Sequence, residues 1–114
     1  MPSVRDGDRI LIIDRKLFHD DNARFFVGEV EEYDDGIVRA RGYPFHLSPY
    51  EVTAVERHGE ERVRVLSLSS DVIVYRLARE TDLNKLELRR SPKSLQLTEG
   101  ARLLVDLTEW LQRA

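Results

Sequence analysis

The chain contains no cysteine, so it has no disulfide framework and no thiolate metal site, and the expected setting is a reducing one such as the cytoplasm. It has three histidines in 114 residues, and they stand apart, at His19, His46 and His58. The chain lacks a glycine-rich phosphate loop, a GxSxG elbow and an HExxH pair, and with no cysteine it has no thiol nucleophile. These absences make an enzyme the least supported class, and no cofactor is expected. Long hydrophobic runs are missing too. Ile10 to Ile13 is far too short to cross a bilayer, and MPSVRDGDR has no apolar core of a signal peptide. No excess of one charge exists either: 18 Lys and Arg against 21 Asp and Glu give a net charge of −3. A global field that draws in nucleic acid or an anionic membrane is thereby excluded. The reading is of a soluble, cytoplasmic protein with no membrane partner.

What is present is β-strand texture. A charged fraction of 34% with 41% apolar residues suits one small domain with much surface, some of it available for burial by self-association. Phe25 to Tyr43, FFVGEVEEYDDGIVRARGY, reads as a β-hairpin turning at Asp34-Asp35-Gly36. A three-residue loop sets Tyr33 against Ile37, Glu31 against Arg39 and Glu29 against Arg41. On the other face it sets Val30 against Ala40 and Glu32 against Val38. Two opposite-charge pairs then lie directly across the ladder. A two-residue loop at Asp35-Gly36 loses both, so the three-residue register is expected.

Ahead of the hairpin, Gly7-Asp8-Arg9 turns into a buried strand, Ile10 to Ile13. Asp14 to Arg24 reads as a polar loop whose His19, Asp20, Asp21 and Asn22 are the densest group of candidate ligands. Asp and Asn bonding their own backbone in a turn explain it; the spacing fits no EF-hand, and no metal is expected. After the hairpin, GYPFHLSP (42–49) carries two prolines and is expected to end the second strand's regular pairing. Tyr43, Phe45, His46 and Tyr50 form an aromatic corner, read either as a lid over one end of a barrel or as a contact surface. In the second reading aromatics beside Arg39 and Arg41 stack planar groups. Val52 to Leu68 reads as a second hairpin closed at His58-Gly59-Glu60, with Arg57 facing Glu61, Glu56 facing Arg62 and Val55 facing Val63. Val72 to Tyr75 is a further strand, mostly buried.

From Arg79 onward the texture changes. Thr81-Asp82 caps one or two helical turns holding Leu83 and Leu86. Arg89, Arg90 and Lys93, around Ser91-Pro92, form the local basic cluster, either a solvated turn or a phosphate-contact patch. The tail has two readings, a helix from Glu99 or a hairpin in which Leu95 and Leu97 alternate, Glu99-Gly100 turns, and Leu103, Val105 and Leu107 return. The hairpin uses Gly100 where glycine is wanted, and a short helix from Thr108, anchored by Trp110, closes the chain.

Short, strongly paired strands close most economically into a barrel of five or six antiparallel strands over residues 1–78, with 79–114 packed on it. At this point the chain resembles the Sm-like family. Phe26 to Asp34, FVGEVEEYD, is similar to the first Sm motif, with Gly28 and Asp34 at its matching places. Leu68 to Tyr75, LSSDVIVY, is similar to the second, with Asp71 at the acidic position. The resemblance spans Ile10 to Leu77 and implies a small barrel and ring assembly. It does not carry the RNA site, because Gly36 and Ile37 stand where the family's uracil-contacting Asn belongs, and Ser69 and Ser70 replace an Arg-Gly pair. An SH3-like barrel, which also opens on a Gly-Asp-Arg turn, is the close competitor. The functional expectation is a non-enzymatic binding or assembly module, a homo-oligomer meeting a protein partner. The alternative is nucleic-acid binding, RNA above all, through Arg39, Arg41, Tyr43, Phe45 and His46, with Arg89, Arg90 and Lys93 as a second patch.

Overall fold

A computed structural model describes residues 4–14, 24–46, 54–57, 59–68 and 72–108. The protein is mainly β, with two antiparallel sheets, a 3-10 turn at Leu83–Lys85 and 3-10 backbone at Thr108, the last of these residues. The strands are β1 (Arg9–Asp14), β2 (Arg24–Asp34), β3 (Ile37–His46), β4 (Ala54–Arg57), β5 (Arg62–Ser67), β6 (Val72–Leu77), β7 (Leu86–Ser91), β8 (Ser94–Glu99) and β9 (Arg102–Asp106). The first sheet runs β5-β3-β2-β1-β6 and the second β4-β7-β8-β9. Among the described residues no ladder joins the edge strands β5 and β6, nor one sheet to the other, so the expected closed barrel is here a pair of open sheets.

The unbroken apolar run of β1 suits its place between β2 and β6, where its residues are buried on both faces. Leu11 and Ile13 point into a core between the sheets. They join Phe25, Val27, Phe45 and Leu77 from the first sheet and Leu86, Leu88, Leu95, Leu97 and Leu107 from the C-terminal part. Ile10 and Ile12 point the opposite way, into a second cluster with Val4, Phe26, Val30, Val38 and Ala40. Leu66 of β5 and Val72 and Val74 of β6 pack against that same cluster. The two edge strands therefore lean over one core, as in a sheet rolled upon itself.

The main hairpin forms with part of its expected register. Glu29 faces Arg41 and Val30 faces Ala40, but Glu32 faces Arg39, Tyr33 faces Val38 and Asp34 faces Ile37. The loop is the two-residue Asp35-Gly36, with φ of 48° and 80°, the left-handed pair of a type I′ turn, whose twist matches the strands. A bulge at Glu31 absorbs the extra residue and returns the lower strands to the register that buries Phe25 and Val27. Beyond it β3 continues through Pro44, opposite Phe26, to His46, so pairing does not end at Gly42 as expected. The β3–β5 ladder stops at Gly42, and the Pro44 carbonyl accepts from the Gly59 N–H at 2.8 Å on that side. The donor that proline lacks is therefore needed by no ladder.

The second expected hairpin does not form. β4 pairs with β7 and β5 with β3, so the 57–62 link crosses from one sheet to the other. Local charge matching was outweighed by two longer-range ladders that cover the edges of β3 and β7. The tail is a hairpin, with Leu97 against Val105 and Glu99 against Arg102, so its loop is Gly100-Ala101 and not Glu99-Gly100. Asp82 caps the 3-10 turn, its carboxylate accepting from the Asn84 N–H at 3.0 Å. The ligand-like group 19–22 and the anchor Trp110 lie outside the described residues, as does the closing helix expected from Thr108 apart from Thr108 itself.

Candidate functional site

The first sheet is longer than the core it shares with the second. Alternation places Tyr43 and Phe45, at the far end of β3, against the inter-sheet core, while Ile37, Arg39 and Arg41 share their face beyond it. Val63, Val65 and Ser67 of β5 lie opposite Arg41, Arg39 and Ile37 on that same face. The projecting half thus carries an apolar group at the sheet edge and a charged ladder one strand further in. Ile37 is 51% exposed, Val63 45% and Val65 65%.

The charged ladder is internally neutralised. Glu31, displaced by the bulge, contacts Arg39 at 3.4 Å and Arg41 at 3.2 Å, while Glu32 contacts Arg39 at 3.3 Å and Glu61 contacts Arg41 at 3.3 Å. The Tyr43 hydroxyl donates to Glu61 at 3.4 Å. Hydrogen bonds to Glu31 and Glu61 hold the Arg41 guanidinium above its ordinary value, and burial followed by the Glu61 charge pushes the Tyr43 hydroxyl up. Beside the ladder lies a recess of about 200 Å³ whose charged lining is Arg9, Arg41, Glu29, Glu61 and Asp82. Two guanidinium groups stand there against three carboxylates, a balance unfavourable to a phosphate.

The residues anticipated as contacts divide. Arg39 and Arg41 come together on the projecting half, while Tyr43, on the same face of β3, packs against the inter-sheet core. Phe45 is 1% exposed and belongs to the core. His46 ends β3 opposite Arg24, and Tyr50 lies outside the described residues. Arg89 and Arg90 are successive residues of β7 and face opposite sides of the second sheet. Arg89 is held by Glu87 at 3.1 Å and donates to the Thr98 hydroxyl at 3.3 Å. Lys93 is exposed in the Pro92-Lys93 turn between β7 and β8. These three form no single patch.

Two features were missed in the sequence. One is the exposed set Ile37, Val63 and Val65; its signal is the alternation Arg-Val-Arg-Val, which marks one face of β5 as apolar wherever the strand pairs. The other is Asp8, whose buried carboxylate accepts from the Arg5 N–H at 2.9 Å and meets Arg79 at 3.1 Å and Arg76 at 3.6 Å. It ties the turn before β1 to the end of β6. Among the described residues no three His, Asp or Glu side chains could hold a metal, and no helix is long and apolar enough to cross a membrane. Fold and surface define a two-sheet antiparallel β protein in which, among the described residues, no strand pairs with the outer edge of β5. No family model, curated protein or solved structure matches the chain.

Proposed function

We propose that this is a non-enzymatic binding or assembly module, acting in the cytoplasm, that self-associates through the open edge of its first sheet on an Sm-like or SH3-like scaffold. The observation that carries this reading is β5. It is an edge strand, it exposes Val63 and Val65, and Ile37 of the next strand adjoins them. An edge offers unpaired N–H and C=O groups, and apolar side chains beside them add burial to the backbone bonds a second strand makes. Support for the rolled scaffold is the five-strand order, with both edge strands contributing to one core. Sedimentation of pure protein tests the reading: a mass at least twice 13.3 kDa is expected, and a monomer at high concentration contradicts it.

Nucleic-acid binding at Arg39 and Arg41 is the weaker reading, because Glu31, Glu32 and Glu61 already occupy both guanidinium groups. Mixed RNA is therefore expected to show no retardation in a gel shift at low salt. Retardation that disappears as salt rises would reverse the order of the two readings.

A further inference from the structure

Resting on the assembly reading above, we infer that the occupant of the β5 edge is β5 of a second copy, related by a two-fold axis that passes through Val65. The two edges of the first sheet differ. β5 exposes both of its valines, whereas the apolar residues of β6 from Val72 to Tyr75 are half-buried and Leu77 is buried. A head-to-tail contact joins an edge with exposed apolar side chains to one whose apolar side chains are already half-buried. An isologous contact joins two edges of the exposed kind, and the same patch serves both sides.

Register follows from geometry and charge. In an antiparallel pair, opposed residues share a face, so a two-fold pairing of β5 with itself sets each residue against one of its own parity. Two registers pair five residues of the strand Arg62–Ser67. One sets Arg64 against Arg64 of the second copy, a direct like-charge opposition. The other sets Val65 against Val65 of the second copy, Arg64 against Leu66 and Val63 against Ser67, with no opposed charges. Charge selects the second. In it Ile37, Val63 and Val65 of the two copies merge into one apolar patch on the continued sheet. Arg39, which lies opposite Val65 on β3, ends three strand spacings from its counterpart. That is about 14 Å, beyond the screening length at physiological salt.

The chain has no cysteine, so single-cysteine variants report cleanly, and Val65 is exposed enough to be replaced without disturbing a core. Directly opposed residues on paired strands have Cα separations of roughly 4.5–5.5 Å, within reach of a disulfide. Under mild oxidation, Val65→Cys is expected to give a covalent dimer on a non-reducing gel, and Val63→Cys little. The double variant Val63→Cys with Ser67→Cys is expected to restore linkage. Val65→Lys, which places two ammonium groups at the axis, is expected to reduce the sedimentation mass to that of the monomer. A native dimer in which Val65→Cys does not link overturns the two-fold pairing while leaving assembly standing, as does a larger ring with no single-cysteine linkage. A monomeric native protein overturns assembly itself.

Discussion

At the scale of single residues, the sharpest constraint is where β2 and β3 approach each other. Gly28 and Gly42 are paired, and a Cβ on Gly42 would lie 1.9 Å from the Val27 carbonyl oxygen and 2.5 Å from the Gly28 Cα. Both obstacles are backbone, so neither can swing aside. Gly42→Ala is expected to cost about 3 kcal/mol or more, read as a lower urea midpoint. Gly36→Ala has open space around its Cβ but a φ of 80°, so its cost is conformational, about 1–2 kcal/mol. Equal losses at the two sites would contradict this. Thr81 presents the opposite case, a fully buried side chain whose hydroxyl has no hydrogen-bond partner among the described residues. Thr81→Val removes that unsatisfied group at nearly constant shape, and thermal unfolding is expected to show a gain of about 1 kcal/mol. The Asp106 carboxyl is held below its ordinary value by the Thr108 hydroxyl and then by the Thr108 N–H. Its contribution is present above the unfolded value and lost as pH falls through the lowered folded one. Thr108→Ala is expected to move the Asp106 titration, followed by carboxyl NMR, back toward the ordinary value.

At the scale of elements, the main hairpin shows how much a local pattern can specify. Glu29 opposite Arg41 and Val30 opposite Ala40 were legible from complementary types. The tip was not, because charge counting favoured a three-residue loop while backbone twist favours the I′ turn at Asp35-Gly36. The bulge reconciles the two: it keeps Glu31 within ion-pair reach of both arginines without placing it opposite either. A testable consequence is that deletion of Glu31 leaves Val30 opposite Ala40 and Glu32 opposite Arg39 in an uninterrupted ladder. That deletion is expected to fold and to lose only about 1 kcal/mol, the worth of exposed ion pairs. Deleting Glu29 drives Glu31 into the buried place of Val30 and is expected to cost several-fold more in the same melt. The tail hairpin was legible through Gly100. The misread hairpin over 52–68 had equally good charge pairs, and they were irrelevant, because the edges of β3 and β7 offered longer-range ladders that no local pattern reveals.

At the scale of the whole molecule, the order β5-β3-β2-β1-β6 decides what the surface can do. It places β1 inside the sheet, between β2 and β6, and its burial was announced by its continuous apolar run. It also places β5 at an edge with its valines on the projecting face, which could not be foreseen while β5 was paired with β4. The aromatic corner was legible as aromatic but not as core, because only the extension of β3 through Pro44 turns Phe45 inward. Hydrogen exchange of the full chain at low and high protein concentration tests the central claim that the β5 edge receives a second strand. The β5 amides are expected to gain protection as concentration rises while those of β6 do not. Exchange at β5 that stays constant across a concentration range over which the sedimentation mass increases would contradict it.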